Sequence, residues 1–305
     1  MDWLEDILYI LKDAVEIGLI WSLLTLGIFI SFRVLDFADL TAEGTITMGS
    51  AIATALILAN VPPFLATVIA LLGGFAAGAV TGFLHTQLKI PAILAGIISM
   101  TGLYSINLRI MGKAAIYLGD KATIYSFFRS MINAPFISKT LTTFLVVIVI
   151  VLIMYWFFGT EIGMSIRATG MNQKMARAQG INTKIMIILG LAISNALIAL
   201  SGALNAQSAK SANMDIGRGT IVIGLASIII GEVIFGKRTF KNWLISVILG
   251  SIIYQALVGV AIALGLNHND LKLLQAILIA LILSLPLFKK LYLQRKKKDE
   301  VVGGA

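Results

Sequence analysis

The residues of this sequence that could do chemistry are few, and their types suit non-covalent work. The stretch DFADLTAE, Asp36 to Glu43, gathers three carboxylates and Thr41 between apolar runs, and Thr45 follows at once. A second polar run sets Asn213, Asp215 and Arg218 ahead of Gly219 and Thr220. Asn195, Asn205, Gln207 and Ser208 lie on or just after one apolar run, Glu232 lies in another, and Asn107 and Arg109 close a third. Polar groups held in lipid are costly and tend to face a bundle interior or a solute route. Asp39, Thr41, Glu43, Thr45, Asn195, Asn205, Gln207 and Thr220 are therefore the candidate lining of a path. Thr41 can cap a helix starting there, and the partial positive charge of a helix N-terminus suits a passing carboxylate. Duller roles stand beside these. Asn195 can bridge two helices, Asp36 and Asp39 can cap helices at a membrane surface, and Glu232 can be solvated or pair with Lys237.

Covalent chemistry has little to work with. The absence of cysteine excludes disulfides, thiolate metal sites and cysteine nucleophiles. His85 and His268 are far apart, so no metal site is expected. There is no G-x-x-x-x-G-K-[ST] loop and no nucleophile–base constellation, so the chain is not expected to be an enzyme or to hydrolyse ATP itself.

The elements that must position these residues are membrane helices. The chain of 305 residues is 58% hydrophobic and 13% charged, with a mean hydropathy of +0.95. A soluble domain of this size needs far more polar surface. Apolar runs between polar breaks give about nine segments, roughly 14–33, 43–60, 63–86, 91–111, 139–159, 185–208, 219–236, 241–264 and 270–288. An all-α polytopic membrane protein is expected. Its acidic start (Asp2, Glu5, Asp6) does not read as a cleaved signal peptide. The net charge of +9 sits in loops and the tail, where it orients a membrane protein and does not imply nucleic acid. The tail KKLYLQRKKKDE, the loop GKRTFK and the loop with Arg167, Lys174, Arg177 and Lys184 are placed in the cytoplasm, and the N-terminus outside. Residues 112–138, with Lys113, Lys121 and Arg129 against Asp120, run against this assignment.

Two stretches share the pattern G-T-I-x-x-G, at Gly44–Gly49 and Gly219–Gly224, offset by 175 residues. The same offset pairs Gly27 with Gly202. Segments one to four thus repeat as six to nine. Five crossings separate each pair, so the halves face opposite ways, an arrangement typical of transporters. The glycines at 73, 74, 78 and 82 read as close helix packing.

Between the halves lies GMNQKMARAQGIN, about ten residues bracketed by Gly170 and Gly180, read as a short helix. Met171, Met175 and Ala178 form an apolar stripe, with Asn172, Gln173, Lys174 and Arg177 around it. Such a helix cannot span a bilayer and can lie at the cytoplasmic surface, either as a mere connector or as a contact for another protein. Exposed methionines are adaptable partners for a groove, and Arg177 would suit an interface rim.

The run SIRATGMNQKMARAQGINTKIM resembles the cytoplasmic coupling loop of ATP-binding-cassette importer permeases of the branched-chain amino acid, ribose and nucleoside type. DFADLTAEGTITMGSAIA and LAISNALIALSGALNAQ extend the likeness over most of the chain. It is nearest to the tryptophan/tyrosine-type subgroup, whose genes sit beside an ATPase and a substrate-binding lipoprotein. The resemblance implies that Arg167, Ala168, Gly170, Asn172, Met175, Ala176, Gly180, Ile181 and Asn182 belong to a loop docked in an ATPase cleft. It also implies a fold like the vitamin B12 importer permease, here without that fold's first helix. The chain would be one permease domain over 1–305: repeat A about 14–111, connector helix 139–159, coupling loop 160–184, repeat B about 185–288 and a basic cytoplasmic tail 289–305. The implied partners are a cytoplasmic ATPase dimer carrying ATP and Mg, an extracellular binding lipoprotein, a second permease copy and the lipid bilayer of a bacterial plasma membrane. The implied solute is an aromatic or other apolar amino acid. A sugar or nucleoside stays open, as does an ion-coupled transporter, which would need an ion site near Glu232, or a non-transporting scaffold.

Overall fold

The computed structural model describes residues 3–129 and 135–263, with a few isolated positions between 273 and 284. The expected segment at 270–288, His268 and the tail lie outside the described residues. Eleven α-helices are described: α1 Trp3–Phe29, α2 Thr41–Leu58, α3 Pro63–Thr86, α4 Ala92–Met111, α5 Ile124–Arg129, α6 Pro135–Phe157, α7 Glu161–Met171, α8 Gln173–Ala178, α9 Thr183–Ala209, α10 Thr220–Phe235 and α11 Phe240–Ala263. Seven of them are long and apolar enough to cross a membrane. The eighth apolar segment, α10, has only 16 residues. Two short strands, β1 Ala115–Tyr117 and β2 Ser211–Asn213, pair antiparallel as a small ribbon.

Helix boundaries follow local chemistry. Pro63 opens α3 and Pro91 precedes α4, where a missing N–H costs nothing. The first span does not end cleanly. Its last turn, Ile30–Val34, widens to a π-helix, and Leu35 N–H donates to Ile30 O at 2.9 Å. Asp36 then takes a left-handed backbone, φ 52°, and the chain turns back into the bundle. The second helix starts at Thr41 because the Asp39 carboxyl Oδ1 accepts the Thr41 N–H at 3.0 Å. Thr41 is thus the first helical residue, and the expected cap is supplied by Asp39 two residues earlier.

The long α9 is the centre of the bundle and is buried along most of its length. It runs antiparallel to α1: Ser194 Oγ donates to Gly27 O at 2.7 Å, and Ser201 Oγ to Ile20 O at 2.8 Å. The expected packing role of the α3 glycines is visible at Gly78, where a Cβ would fall 2.2 Å from Leu191 O of α9. Only a bare Cα permits backbones this close. The packing partners are mirrored. Helix α3 lies along α9 as α11 lies along α1, and α2 rests on α3 and α9 as α10 rests on α11 and α1. One end of the bundle carries the ribbon, the start of α6 and the end of α9, joined by Ile124 N–H to Gln207 Oε1 and by Lys139 to Glu16. The opposite end carries α7, α8, the π-turn and the α10–α11 connection. Helices α4 and α6 leave broad apolar faces uncovered, suited to lipid.

Candidate functional site

The loop joining α6 to α9 is built from caps. Thr160 Oγ1 accepts the Gly163 N–H and starts α7. That helix does not break at Gly170, as the sequence suggested, but continues to Met171. The break falls at Asn172, which is extended (φ −159°, ψ 99°) and whose Oδ1 accepts the N–H groups of Lys174 and Met175 at 3.0 and 3.1 Å. Gly170 has a different duty. A Cβ there would lie 1.9 Å from Val34 O, so α7 rests directly on the π-turn that ends α1. At the far end Gly180 has φ 84°; its N–H donates to Arg177 O at 3.0 Å, and Ile181 N–H donates to Ala176 O at 3.1 Å. These paired bonds are the Schellman stop, which needs the left-handed residue. Asn182 Oδ1 then caps α9 through Ile185 N–H.

The result is a two-turn knob fixed at both ends. Ala176 is its buried base, while Met171 and Met175 are 88% and 61% exposed. The two methionines and Ala178 do not share one helix face, because the Asn172 break separates Met171 from the others. Arg177 is exposed and is also held within the loop. Its Nε donates to Thr183 Oγ1 at 2.8 Å and its Nη2 to Gln173 Oε1 at 3.2 Å, so it braces the knob. The Arg167 guanidinium sits over the Phe240 ring, 4.8 Å from its centroid.

The polar candidates divide into three groups. The first is a sealed network within the bundle. Asn195 Nδ2 donates to Asp39 Oδ2 at 2.6 Å and to Leu191 O at 3.0 Å, and Thr45 Oγ1 donates to Asn195 Oδ1 at 2.7 Å. Thr41 shares a hydrogen bond with Thr81, and Thr81 donates to Ser99. Asp39, Thr41, Thr45, Thr81 and Asn195 are fully buried. This cluster ties α2, α3, α4 and α9 together. Asn195 thus acts as the bridge foreseen as its alternative role. Thr81 and Ser99 carry no local signal, and only the tertiary contact brings them in.

The second group is structural and elsewhere. Gln207 is buried, donates to Thr67 Oγ1 at 2.8 Å and accepts from Ile124, stapling α9 to α3 and α5. Thr220 is buried, its hydroxyl turned onto Gly217 O. Asn205 is half-buried and makes no side-chain hydrogen bond among the described residues. Glu232 does not pair with Lys237. It accepts from Arg33 Nη2 at 2.8 Å and from Trp243 Nε1 at 2.9 Å.

The third group is Glu43 and its surroundings. Glu43 Oε1 accepts the Gly219 N–H at 2.9 Å, so the start of α2 is tied to the start of α10. Beside this bond lies a cavity of about 320 Å³, lined by Glu43, Thr47, Met100, Tyr104, Asn107 and Arg218 among others. Of the eight candidate path residues, Glu43 alone lines it.

Among the described residues no group of three or more acidic or histidine side chains is placed to hold a metal ion. Residues 11–285 match the family of permease components of branched-chain amino acid transport systems. The chain belongs to that family. The permease is 42% identical over 262 residues to the tyrosine transport system permease protein of Clostridioides difficile, covering 86% of each chain. An uncharacterized protein of Rickettsia prowazekii is 31% identical over 280 residues, 90% of this chain and 97% of that one. The ribose import permease protein of Haemophilus influenzae is 24% identical over 308 residues, 96% and 87% of the two chains. No solved structure matches. The permease is therefore a multi-pass membrane subunit of an ATP-binding-cassette transporter, with hydrolysis assigned to an ATPase partner and not to this chain.

Proposed function

We propose that the permease is the membrane half of a bacterial importer for an aromatic or other apolar amino acid. Two copies frame one path, an extracellular lipoprotein delivers the solute, and two cytoplasmic ATPase subunits, carrying ATP and Mg, grip the α8 knob. The end of the bundle that bears α8 faces the cytoplasm, with the N-terminus outside. The single observation that carries the reading is the knob itself. It is capped at both ends, exposes Met171 and Met175, and stands on the end of α1 through Gly170 and Val34 O. A flexible connector has no use for so many fixed bonds. The mirrored packing of α1–α3 with α9–α11 supports an inverted repeat, and the tyrosine permease relative supports an amino-acid solute over the more distant ribose relative. An ion-coupled mechanism gains nothing from Glu232, which is engaged by Arg33 and Trp243.

The test uses the permease reconstituted with its ATPase and binding protein. ATP-driven amino-acid uptake is expected, together with cross-linking of Met175→Cys to a cysteine in the ATPase cleft. The cysteine-free background makes that link unambiguous. Uptake without the ATPase, or cross-links only to another loop, would refute the reading.

A further inference from the structure

We infer that the cavity between α2, α4 and the Met214–Gly217 turn is a subsite for a zwitterionic α-amino acid, with Glu43 taking the ammonium and Arg218 the carboxylate. The inference rests on the importer reading and adds to it a site and its chemistry. Glu43 and Arg218 line the same cavity, and Glu43 is anchored at Gly219, the residue next to Arg218 in the chain. Neither charge is satisfied by the other, for no salt bridge joins them among the described residues. Glu43 spends one oxygen, Oε1, on the Gly219 N–H, and its Oε2 has no partner among the described residues. Arg218 holds Asp215 through one nitrogen, Nη1, at 2.9 Å. A guanidinium has five donors, so a bidentate face remains for a carboxylate.

A third polar group completes the site. Asn107 lines the cavity and is fully buried. Its Nδ2 donates to Gly44 O at 3.0 Å, and its Oδ1 is without a partner among the described residues. A buried carbonyl oxygen left so costs about 1–3 kcal/mol unless something donates to it, and a solute ammonium can. Met100, Tyr104 and Met214 supply the apolar wall. A volume of about 320 Å³ sits at the lower end of the roughly 300–1,000 Å³ of small-molecule pockets and suits one amino acid. A neutral sugar would meet an acid and a base that it cannot neutralise.

Ser105 also lines this cavity and is exposed. In the Ser105→Cys permease, maleimide labelling reports occupancy directly. The probes are L-tyrosine, L-tryptophan and L-leucine, with tyramine lacking the carboxylate and 4-hydroxyphenylpropionate lacking the ammonium. Protection scales as one plus the ratio of solute to Kd, so labelling slows about fivefold at about four times Kd. At least one amino acid is expected to protect at millimolar concentration, the truncated compounds not. Arg218→Gln and Glu43→Gln should each abolish protection, and Arg218→Lys should restore part of it. Protection equal among all compounds, or by none, overturns the subsite. ATP-driven uptake by the reconstituted transporter, measured in parallel, separates the two ideas. Uptake without protection sinks the subsite alone, whereas absence of both sinks the importer reading with it.

Discussion

Asn195 is the most informative single side chain to remove, because the cost can be worked bond by bond. Its amide donates to Asp39 Oδ2 and accepts from Thr45 in a region closed to water. Of its three bonds, that to Leu191 O spares an acceptor already in a helix; truncation to alanine loses the two to Asp39 and Thr45 at about 0.5–1.5 kcal/mol each and strands one oxygen of Asp39 at about 1–3 kcal/mol. Asn195→Ala should therefore cost about 4 kcal/mol. Asp39→Ala loses the cap of α2, typically about 1 kcal/mol, and one partner of Asn195, about 1 kcal/mol more. If the sites were independent the double variant would lose about 6 kcal/mol. Removing Asp39, however, also removes the stranded oxygen, and the bond between the two residues is lost only once, so the double variant should lose only about 3 kcal/mol, a coupling of about 3 kcal/mol. The assay is equilibrium unfolding of the purified permease in mixed micelles, followed by far-UV circular dichroism. Additive losses, or an Asn195→Ala variant within about 1 kcal/mol of the parent, would show that the network does not hold the bundle.

The coupling knob yields the remaining predictions. Gly180→Pro removes a donated N–H and forbids the left-handed backbone, so ATPase turnover should persist while uptake falls; Gly180→Asn, which tolerates that backbone, should retain most uptake. Normal uptake by Gly180→Pro would refute the assignment of the knob. Arg177→Glu breaks the braces to Thr183 and Gln173 and should likewise separate hydrolysis from uptake in proteoliposomes. Met175→Glu changes no internal contact of consequence. It should leave permease stability within about 0.5 kcal/mol of the parent and reduce ATPase co-purification. Gly170→Ala drives a methyl group into Val34 O, an overpacking of about 1–3 kcal/mol, and should lower the midpoint of thermal inactivation in detergent as well as uptake.

The fold was legible in the sequence wherever the signal is local. Apolar runs bounded by Pro63 and Pro91 gave helices within a residue of those observed, because proline punctuates a chain through its own backbone. The two-glycine bracket around the knob was half right. Gly180 terminates α8 by positive φ, a local effect, whereas Gly170 serves a contact with Val34, 136 positions earlier in the chain, which no local pattern encodes. Polar residues were found correctly as unusual but not sorted by role. Asp39 and Glu43 lie one helical turn apart, yet one is sealed against Asn195 and the other faces the cavity. Which fate each meets depends on where α9 and the Met214–Gly217 turn pass, and that is tertiary information.

That same pair of carboxylates explains how a bundle so apolar can be both rigid and able to respond. On the proposed reading, force enters at α8 and reaches the π-turn of α1 through the Gly170–Val34 contact. Five residues after Val34, Asp39 fixes the first turn of α2 through its bond to Thr41 and holds it to α9 through Asn195. One turn further on, Glu43 ties α2 to Gly219 at the head of α10. Each step is a backbone contact or a hydrogen bond at least partly buried, so a shift at the knob has few soft joints in which to dissipate before the cavity. Both the Asp39–Asn195 and the Glu43–Gly219 bonds join the two proposed halves, and the second is the less buried. If α2 and α10 separate during transport, they part at Glu43 and Gly219, beside the charges inferred to hold the solute.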